Sequence, residues 1–252
     1  YDIACGVSPT DKNEITVGGV NTWKSLDGGA TWNLNTHWYG GGAPYVHADL
    51  HAVEYISGST CYLGTDGGIA VTYDGGSSWT TINGQMNIAQ SYRIGQSSTT
   101  ANYVLSGHQD NGTNLLNGTV WKEVYGGDGA DCFVDRTNNN TLVESYVYGD
   151  FNISNNGGNS WSGITNGLTG TGAWIAPIIQ SAHVANTYYC GYQQVFKSTN
   201  KGSNWSQMGT ISGSGDILYL ATAPSNSLVL YAATATTLYK TVNAGATWAA
   251  IS

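Results

Sequence analysis

His47, Asp49 and His51 are spaced two residues apart, so in an extended strand their side chains share one face. An imidazole beside a carboxylate can pass protons, and two imidazoles with one carboxylate can ligate a metal ion. A His–Asp hydrogen bond that only fixes a connection explains the same spacing. Trp38, Tyr39 and Tyr45 lie just before them. Such rings can stack on a sugar, or simply pack a loop. More acids recur downstream: Asp66, then Asp110 with His108 beside it, then Asp128 and Asp131 near Tyr125, then Asp150. Asp66 precedes Gly67, and Asp110 precedes Asn111-Gly112, so turn chemistry alone accounts for both. Inverting glycoside hydrolysis needs two carboxylates about 6.5–9.5 Å apart. Asp49 and Asp131 are the candidates for such a pair, and Asp49 is the better acid/base because of its histidine neighbours.

What must position these residues is a repeat. Five segments share one pattern: Ser25-Leu-Asp-Gly-Gly-Ala-Thr-Trp32, Thr72-Tyr-Asp-Gly-Gly-Ser-Ser-Trp79, Ser154-Asn-Asn-Gly-Gly-Asn-Ser-Trp161, Ser198-Thr-Asn-Lys-Gly-Ser-Asn-Trp205 and Thr241-Val-Asn-Ala-Gly-Ala-Thr-Trp248. A sixth copy ends at Trp121 and has lost the turn. The spacing of these Trp is that of four-stranded propeller blades, whose period is roughly 40–50 residues. Within the pattern, Asp27 and Asp74 can cap their own turns. The following Gly allows positive φ, and the Trp buries a ring between blades. Two further strands precede each hairpin, as in Ile3–Val7 and Ile15–Gly19, or Ile217–Thr222 and Leu228–Ala232. The pattern predicts an all-β chain: one propeller domain of six four-stranded blades, near 1–36, 47–83, 90–125, 130–165, 173–209 and 215–252. It runs from the first strand of one blade to the last strand of another. Either the ring closes by plain edge pairing, or it continues into a larger ring.

Composition narrows the class of partner. The chain has 252 residues, 10% of them charged, and a net charge of −8. Nucleic acid and anionic membrane both call for clustered Lys and Arg, so neither is an expected partner. No apolar run is long enough to cross a membrane as a helix. No signal peptide is visible, and Tyr1 reads as a mature start or a boundary.

The repeated hairpin resembles the Asp-box of sialidase-like and sortilin-like propellers. The stretches Trp38-Tyr-Gly-Gly-Gly-Ala-Pro-Tyr-Val-His-Ala-Asp-Leu-His-Ala52, Gly64-Thr-Asp-Gly-Gly68 and Gln109-Asp-Asn-Gly-Thr113 look like a group of secreted bacterial Asp-box, sortilin-like proteins commonly exported by the type IX pathway. The resemblance covers the whole chain and implies a secreted or cell-surface location. Xyloglucan-hydrolysing glycosidases and photosystem assembly factors share this architecture, so the fold alone does not decide function. The resemblance also implies that Asp-box turns and the turns between first and second strands of a blade lie at one face, and the turns between second and third strands and the interblade connections at the other. Trp38, Tyr39, Tyr45, His47, Asp49, His51, Asp66, His108, Asp110, Asp128 and Asp131 would then gather on one face. Sialidases grip their substrate's carboxylate with three Arg; this chain has only Arg93 and Arg136, which disfavours that activity. The expected role is a binding or structural module for an extracellular glycan or protein, or for self-association through sheet edges. The alternative is a xyloglucanase-type glycosidase using paired Asp. No cofactor is expected; among cations, calcium suits clustered Asp best.

The four cysteines carry one further expectation. Cys5 and Cys132 take the same position in the first strand of their repeats, while Cys61 and Cys190 sit in second strands one repeat on. That register predicts Cys5–Cys61 and Cys132–Cys190 disulfides between neighbouring blades, as an oxidising compartment allows. Four free thiols are the rival reading.

Overall fold

Each repeat folds as one four-stranded antiparallel sheet with its strands in chain order. A computed structural model describes residues 2–86, 89–213 and 215–251. The chain divides into two units, Tyr1–Ile88 and Ala89–Ser252. The first unit holds β1 (Ala4–Val7), β2 (Ile15–Gly18), β3 (Thr22–Ser25) and β4 (Asn33–Thr36), then β5 (Leu50–Tyr55), β6 (Cys61–Thr65), β7 (Gly68–Thr72) and β8 (Thr80–Thr81). The second opens with β9 (Ser91–Gln96), β10 (Tyr103–His108), β11 (Thr113–Asn117) and β12 (Val120–Tyr125). It continues with β13 (Cys132–Val134), β14 (Leu142–Tyr146), β15 (Asp150–Ser154) and β16 (Ser162–Gly163), and with β17 (Ile178–Gln180), β18 (Tyr188–Gly191), β19 (Val195–Ser198) and β20 (Ser206–Gln207). Its last sheet is β21 (Tyr219–Thr222), β22 (Leu230–Ala233), β23 (Leu238–Thr241) and β24 (Ala249–Ala250). Single 3-10 turns occur at Asn83–Gln85 and Val147–Gly149, and the described residues contain no α-helix.

The repeated hairpin explains its own residue types. Ser25 Oγ accepts the Gly29 N–H at 2.8 Å and donates to Asp27 Oδ1 at 2.8 Å. Asp27 in turn accepts the Thr31 N–H at 2.8 Å and the Thr31 hydroxyl at 2.6 Å. These bonds favour the ionised carboxylate and hold Asp27 down at about 2. Thr72, Asp74 and Ser78 repeat the arrangement, and Asn156, Asn200 and Asn243 fill the same role as amides. The first Gly of the pair is left-handed, as at Gly28 with φ 72°. Lys201 and Ala244 hold that conformation in the last two repeats.

In the last three sheets the Trp ring then locks each to the one before it. Trp161 Nε1 donates to the Val124 carbonyl at 2.8 Å, Trp205 to Ile164 at 2.6 Å and Trp248 to Met208 at 2.9 Å. The cores are therefore shared by adjacent sheets: Val143 and Phe151 of one pack with Ile178, Tyr188, Cys190 and Phe196 of the next, around Trp205. Burying each such side chain contributes about 1.5–3 kcal/mol.

Two of the hairpin Trp depart from the expected burial. Trp121 lies inside β12, paired with Leu116, and is half-exposed. Its hairpin is a tight turn at Gly118, so the strand starts before the Trp instead of after it. Trp32 is also part-exposed; it belongs to the first sheet of its unit and donates to Gly29 of its own turn.

The expected disulfides are absent. All four cysteines are free thiols. Strand alternation gives the reason. Cys132 faces the sheet before its own, packing with Leu105 and Leu115, and Cys190 does the same one sheet later, packing with Val143 and Phe151. In the first unit, Gly6 faces Val53 of the second sheet, so its neighbour Cys5 points the other way and is exposed. Cys61 is buried beside Thr16 and Lys24 of the first sheet. In each expected pair the two thiols look in the same direction from successive sheets, and one whole sheet stands between them.

Candidate functional site

Backbone hydrogen bonds sort the loops to two ends of each sheet. At one end, the turn between first and second strands accepts from the repeated hairpin, as in Gly28 N to Asn13 O at 3.0 Å and Gly157 N to Asn140 O at 2.9 Å. At the other end, the turn between second and third strands bonds to an intersheet connection. In the first unit Leu50 N donates to Gly19 O at 2.9 Å and Asp66 N to Asp49 O at 3.3 Å. In the second, Gly112 N donates to Gly127 O at 2.7 Å, Gly172 N to Tyr148 O at 3.0 Å and Ile217 N to Tyr192 O at 2.7 Å. The candidate residues all occupy this second type of end.

In the first unit, Asp2, Asp49, His51 and Asp66 converge. His51 Nε2 lies 2.5 Å from Asp66 Oδ1 and 3.5 Å from Asp2 Oδ1. Asp49 and Asp66 each place an oxygen within 4.8 Å of the other. The even spacing of His47, Asp49 and His51 is not what brings them together. Asp49 is left-handed, with φ 63°, and the β5–β6 ladder is bulged between Leu50 and Ala52. The simple alternation expected of an extended strand is thereby lost. His47 instead folds onto Gly67 of the β6–β7 turn, where its ring takes the space a side chain would need, and its Nδ1 is 3.2 Å from the Ala48 carbonyl. Burial, then the nearby Asp2 and Asp66 carboxylates, push the Asp49 carboxyl above its ordinary 3.8 against the pull of His47 and His51. Asp66 orients the His51 imidazole, which suits proton transfer; the oxygens of Asp2, Asp49 and Asp66 are what a hard cation would take. Asp2 carried no signal in the sequence, since it is a lone acid near the start of the chain.

The aromatic connection just before this cluster is open. Trp38 is 49% exposed, Tyr39 65% and Tyr45 54%. Tyr39 stands edge-on to Trp38, with ring centroids 4.9 Å apart at 83°, and also meets His37 at 4.0 Å. The connection is pinned by His37 N to Pro44 O at 2.9 Å and by Trp38 N to Asn21 Oδ1 at 3.0 Å.

In the second unit the acids bind backbone. Asp128 Oδ1 accepts the Asp110 N–H at 2.9 Å, where Asp110 has φ 57°. His108 is buried; its Nδ1 is 2.9 Å from Asn114 Nδ2, and burial lowers its pKa. Asp131 accepts the Cys132 N–H at 2.9 Å and the Ile178 N–H at 3.0 Å, one oxygen for each, and so ties β13 to β17. Burial raises its pKa to about 6, against those two bonds and Arg93. A second aromatic cluster, centred on Tyr148 and Trp174, escaped the sequence reading; its one signal was a Trp outside the repeated hairpins.

Solved structures share this arrangement of sheets. The GH74 xyloglucanase from Xanthomonas campestris matches 99% of the chain at 16% identity and TM-score 0.51. The extracellular domain of BT4673 from B. thetaiotaomicron also matches 99% of it, at 12% identity and TM-score 0.51. The fold is a β-propeller. The propeller chain spans 45% of the xyloglucanase and 36% of the BT4673 domain. No protein-family model matches it, and no curated protein does.

Proposed function

We propose that this propeller is a secreted or cell-surface bacterial binding module of the Asp-box, sortilin-like kind, which takes an extracellular glycan on the connection bearing Trp38, Tyr39 and Tyr45. The observation that carries the reading is the exposure of three large rings on a backbone pinned at both ends. Exposed aromatic faces recognise the apolar faces of sugars, and a rigid support keeps the ordering cost low. A surface that is polar but sparsely charged suits an extracellular setting, as does the likeness to an extracellular domain. A glycosidase remains the second reading, because Asp131 has the raised pKa of a general acid; yet both of its oxygens already accept backbone N–H groups. The test is a glycan array with the full chain, alongside its Trp38→Ala variant, plus an assay for released reducing sugar. Binding that falls with Trp38→Ala and releases no sugar supports the module. Sugar release abolished by Asp131→Asn would replace it with the enzyme.

A further inference from the structure

We infer that the second unit carries a saccharide site of its own, with a pyranose ring seated in the corner between Tyr148 and Trp174. The inference rests on the binding-module reading and deepens it by naming a second platform. Tyr148 is 53% exposed and Trp174 42%; their centroids are 5.2 Å apart at 85°, so one ring is a floor and the other a wall. The corner is held from behind. Tyr148 N donates to Trp174 O at 3.1 Å and Gly172 N to Tyr148 O at 3.0 Å, which clamps turn and connection together. The buried Tyr192 hydroxyl donates to Gly149 O at 2.7 Å, just past the turn. Trp174 Nε1 donates to Tyr92 Oη at 3.2 Å, and Tyr92 donates to Gln109 Oε1 at 2.7 Å. With its one polar atom satisfied, the open part of the indole is pure π surface, which suits the axial C–H face of a sugar.

Tyr148 also has φ 60°, a conformation that disfavours every residue but Gly, Asn and Asp. A tyrosine held there with its ring in water is a presented side chain, not a core one. Polar groups able to meet sugar hydroxyls stand beside this turn and in the neighbouring β18–β19 turn. Exposed Asp150 heads β15, directly after this turn. The Gln193 amide abuts Gly170 of the Trp174 connection and donates to Asp216 at 2.6 Å. Arg93 lies 5.0 Å over the Tyr219 ring and Lys240 5.7 Å over the Tyr231 ring, so these two cations of the unit sit on other rings than Tyr148 and Trp174. A quaternary ammonium is the rival occupant of such a corner, and choline tests it.

The experiment uses the full chain with Trp38→Ala, which removes the first platform, labelled at its tryptophan indoles. Cellohexaose, xylohexaose and mannohexaose are added at millimolar concentration, with choline as the cationic probe. One hexasaccharide is expected to shift the Trp174 indole resonance. Adding Tyr148→Gly is expected to weaken that binding about tenfold or more, with the thermal midpoint held or raised because Gly relieves the φ. The inference is overturned if the parent binds a hexasaccharide but the Trp38→Ala protein binds none, if the Trp174 indole stays still, if Tyr148→Gly leaves affinity unchanged, or if only choline binds. A parent that binds no saccharide sinks the binding-module reading as well.

Discussion

Lys201 Nζ lies 2.9 Å from Asp135 Oδ2 and so joins two neighbouring sheets of the second unit through a wholly buried carboxylate. Asp135 directly follows the first strand of its sheet, and Lys201 occupies the left-handed position of the next sheet's hairpin. Burial by itself would raise this carboxyl. Lys201, Thr137 and Gln180 outweigh it and hold Asp135 well below the usual carboxylate range. The folded pKa is depressed, so the stabilisation is present above the ordinary value of 3.8 and disappears as pH falls below it. Lys201→Met is expected to lower the unfolding free energy by about 2–4 kcal/mol, because a buried charge loses its partner. Urea denaturation at neutral pH reads this directly, and a loss that persists undiminished at pH well under the carboxylate range would disprove it.

Glu144 should give the opposite pH signature. It is fully buried, accepts from Asn152 at 2.8 Å, and burial raises its pKa to about 8. Its folded pKa exceeds the ordinary 4.5, so its contribution is greatest in acid and is lost as pH climbs from there to about 8. Glu144→Gln should flatten that slope, and above neutral pH it should be the more stable protein by roughly 2–4 kcal/mol. Parallel unfolding curves for both proteins from acid to mildly alkaline pH make the comparison.

The thiols offer a simple count. Cys61 is pushed up to about 12 by burial, and burial likewise raises Cys132 and Cys190 well above the ordinary thiol value. Cys5 is exposed. A thiol reagent should therefore modify one cysteine in the native protein and four in denaturant. Reductant should leave the melting temperature where it was. Two or fewer reactive thiols in denaturant would restore a bridge.

Asp27 can be exchanged for the amide that other repeats already use. Asn156, Asn200 and Asn243 accept the same backbone N–H groups, so Asp27→Asn should melt close to the parent. Asp27→Ala leaves the Thr31 N–H and hydroxyl without that acceptor and should melt lower. Equal melting of the two variants would remove the turn from the account.

The exposed edge of β12 has a guard of its own. At six residues it is the longest fourth strand among the described sheets, and Val120 and Trp121 on it are exposed. In antiparallel pairing of two copies about a two-fold, the register centred on position 122 sets Lys122 against Lys122 and the one centred on 123 sets Glu123 against Glu123, and both are repulsive. Replacing both by Thr should increase self-association in sedimentation velocity, and an unchanged sedimentation coefficient would count against the guard.

Much of the fold was legible because each repeat stores its instructions locally. A side chain two or four residues from the backbone groups it caps needs no distant partner, so Ser25, Asp27 and Thr31 announce their hairpin in sequence alone. Recurrence at blade spacing did the rest. The lost turn at Trp121 was legible too, but not its consequence: moving the strand start by a few residues took the ring out of the core.

The candidate sites were legible only in part. Types and turns marked Asp49, Asp66 and Trp38, and sorting by hydrogen bonds put them at connection ends. The sequence by itself determined six sheets and the chemistry of their turns, because those depend on contacts a few residues apart. Only the tertiary structure decided which way a thiol faces, that Asp2 joins His51 and Asp66, and that Tyr148 meets Trp174. Those outcomes depend on a bulge, a left-handed residue and the thickness of an intervening sheet, none of which a single repeat encodes.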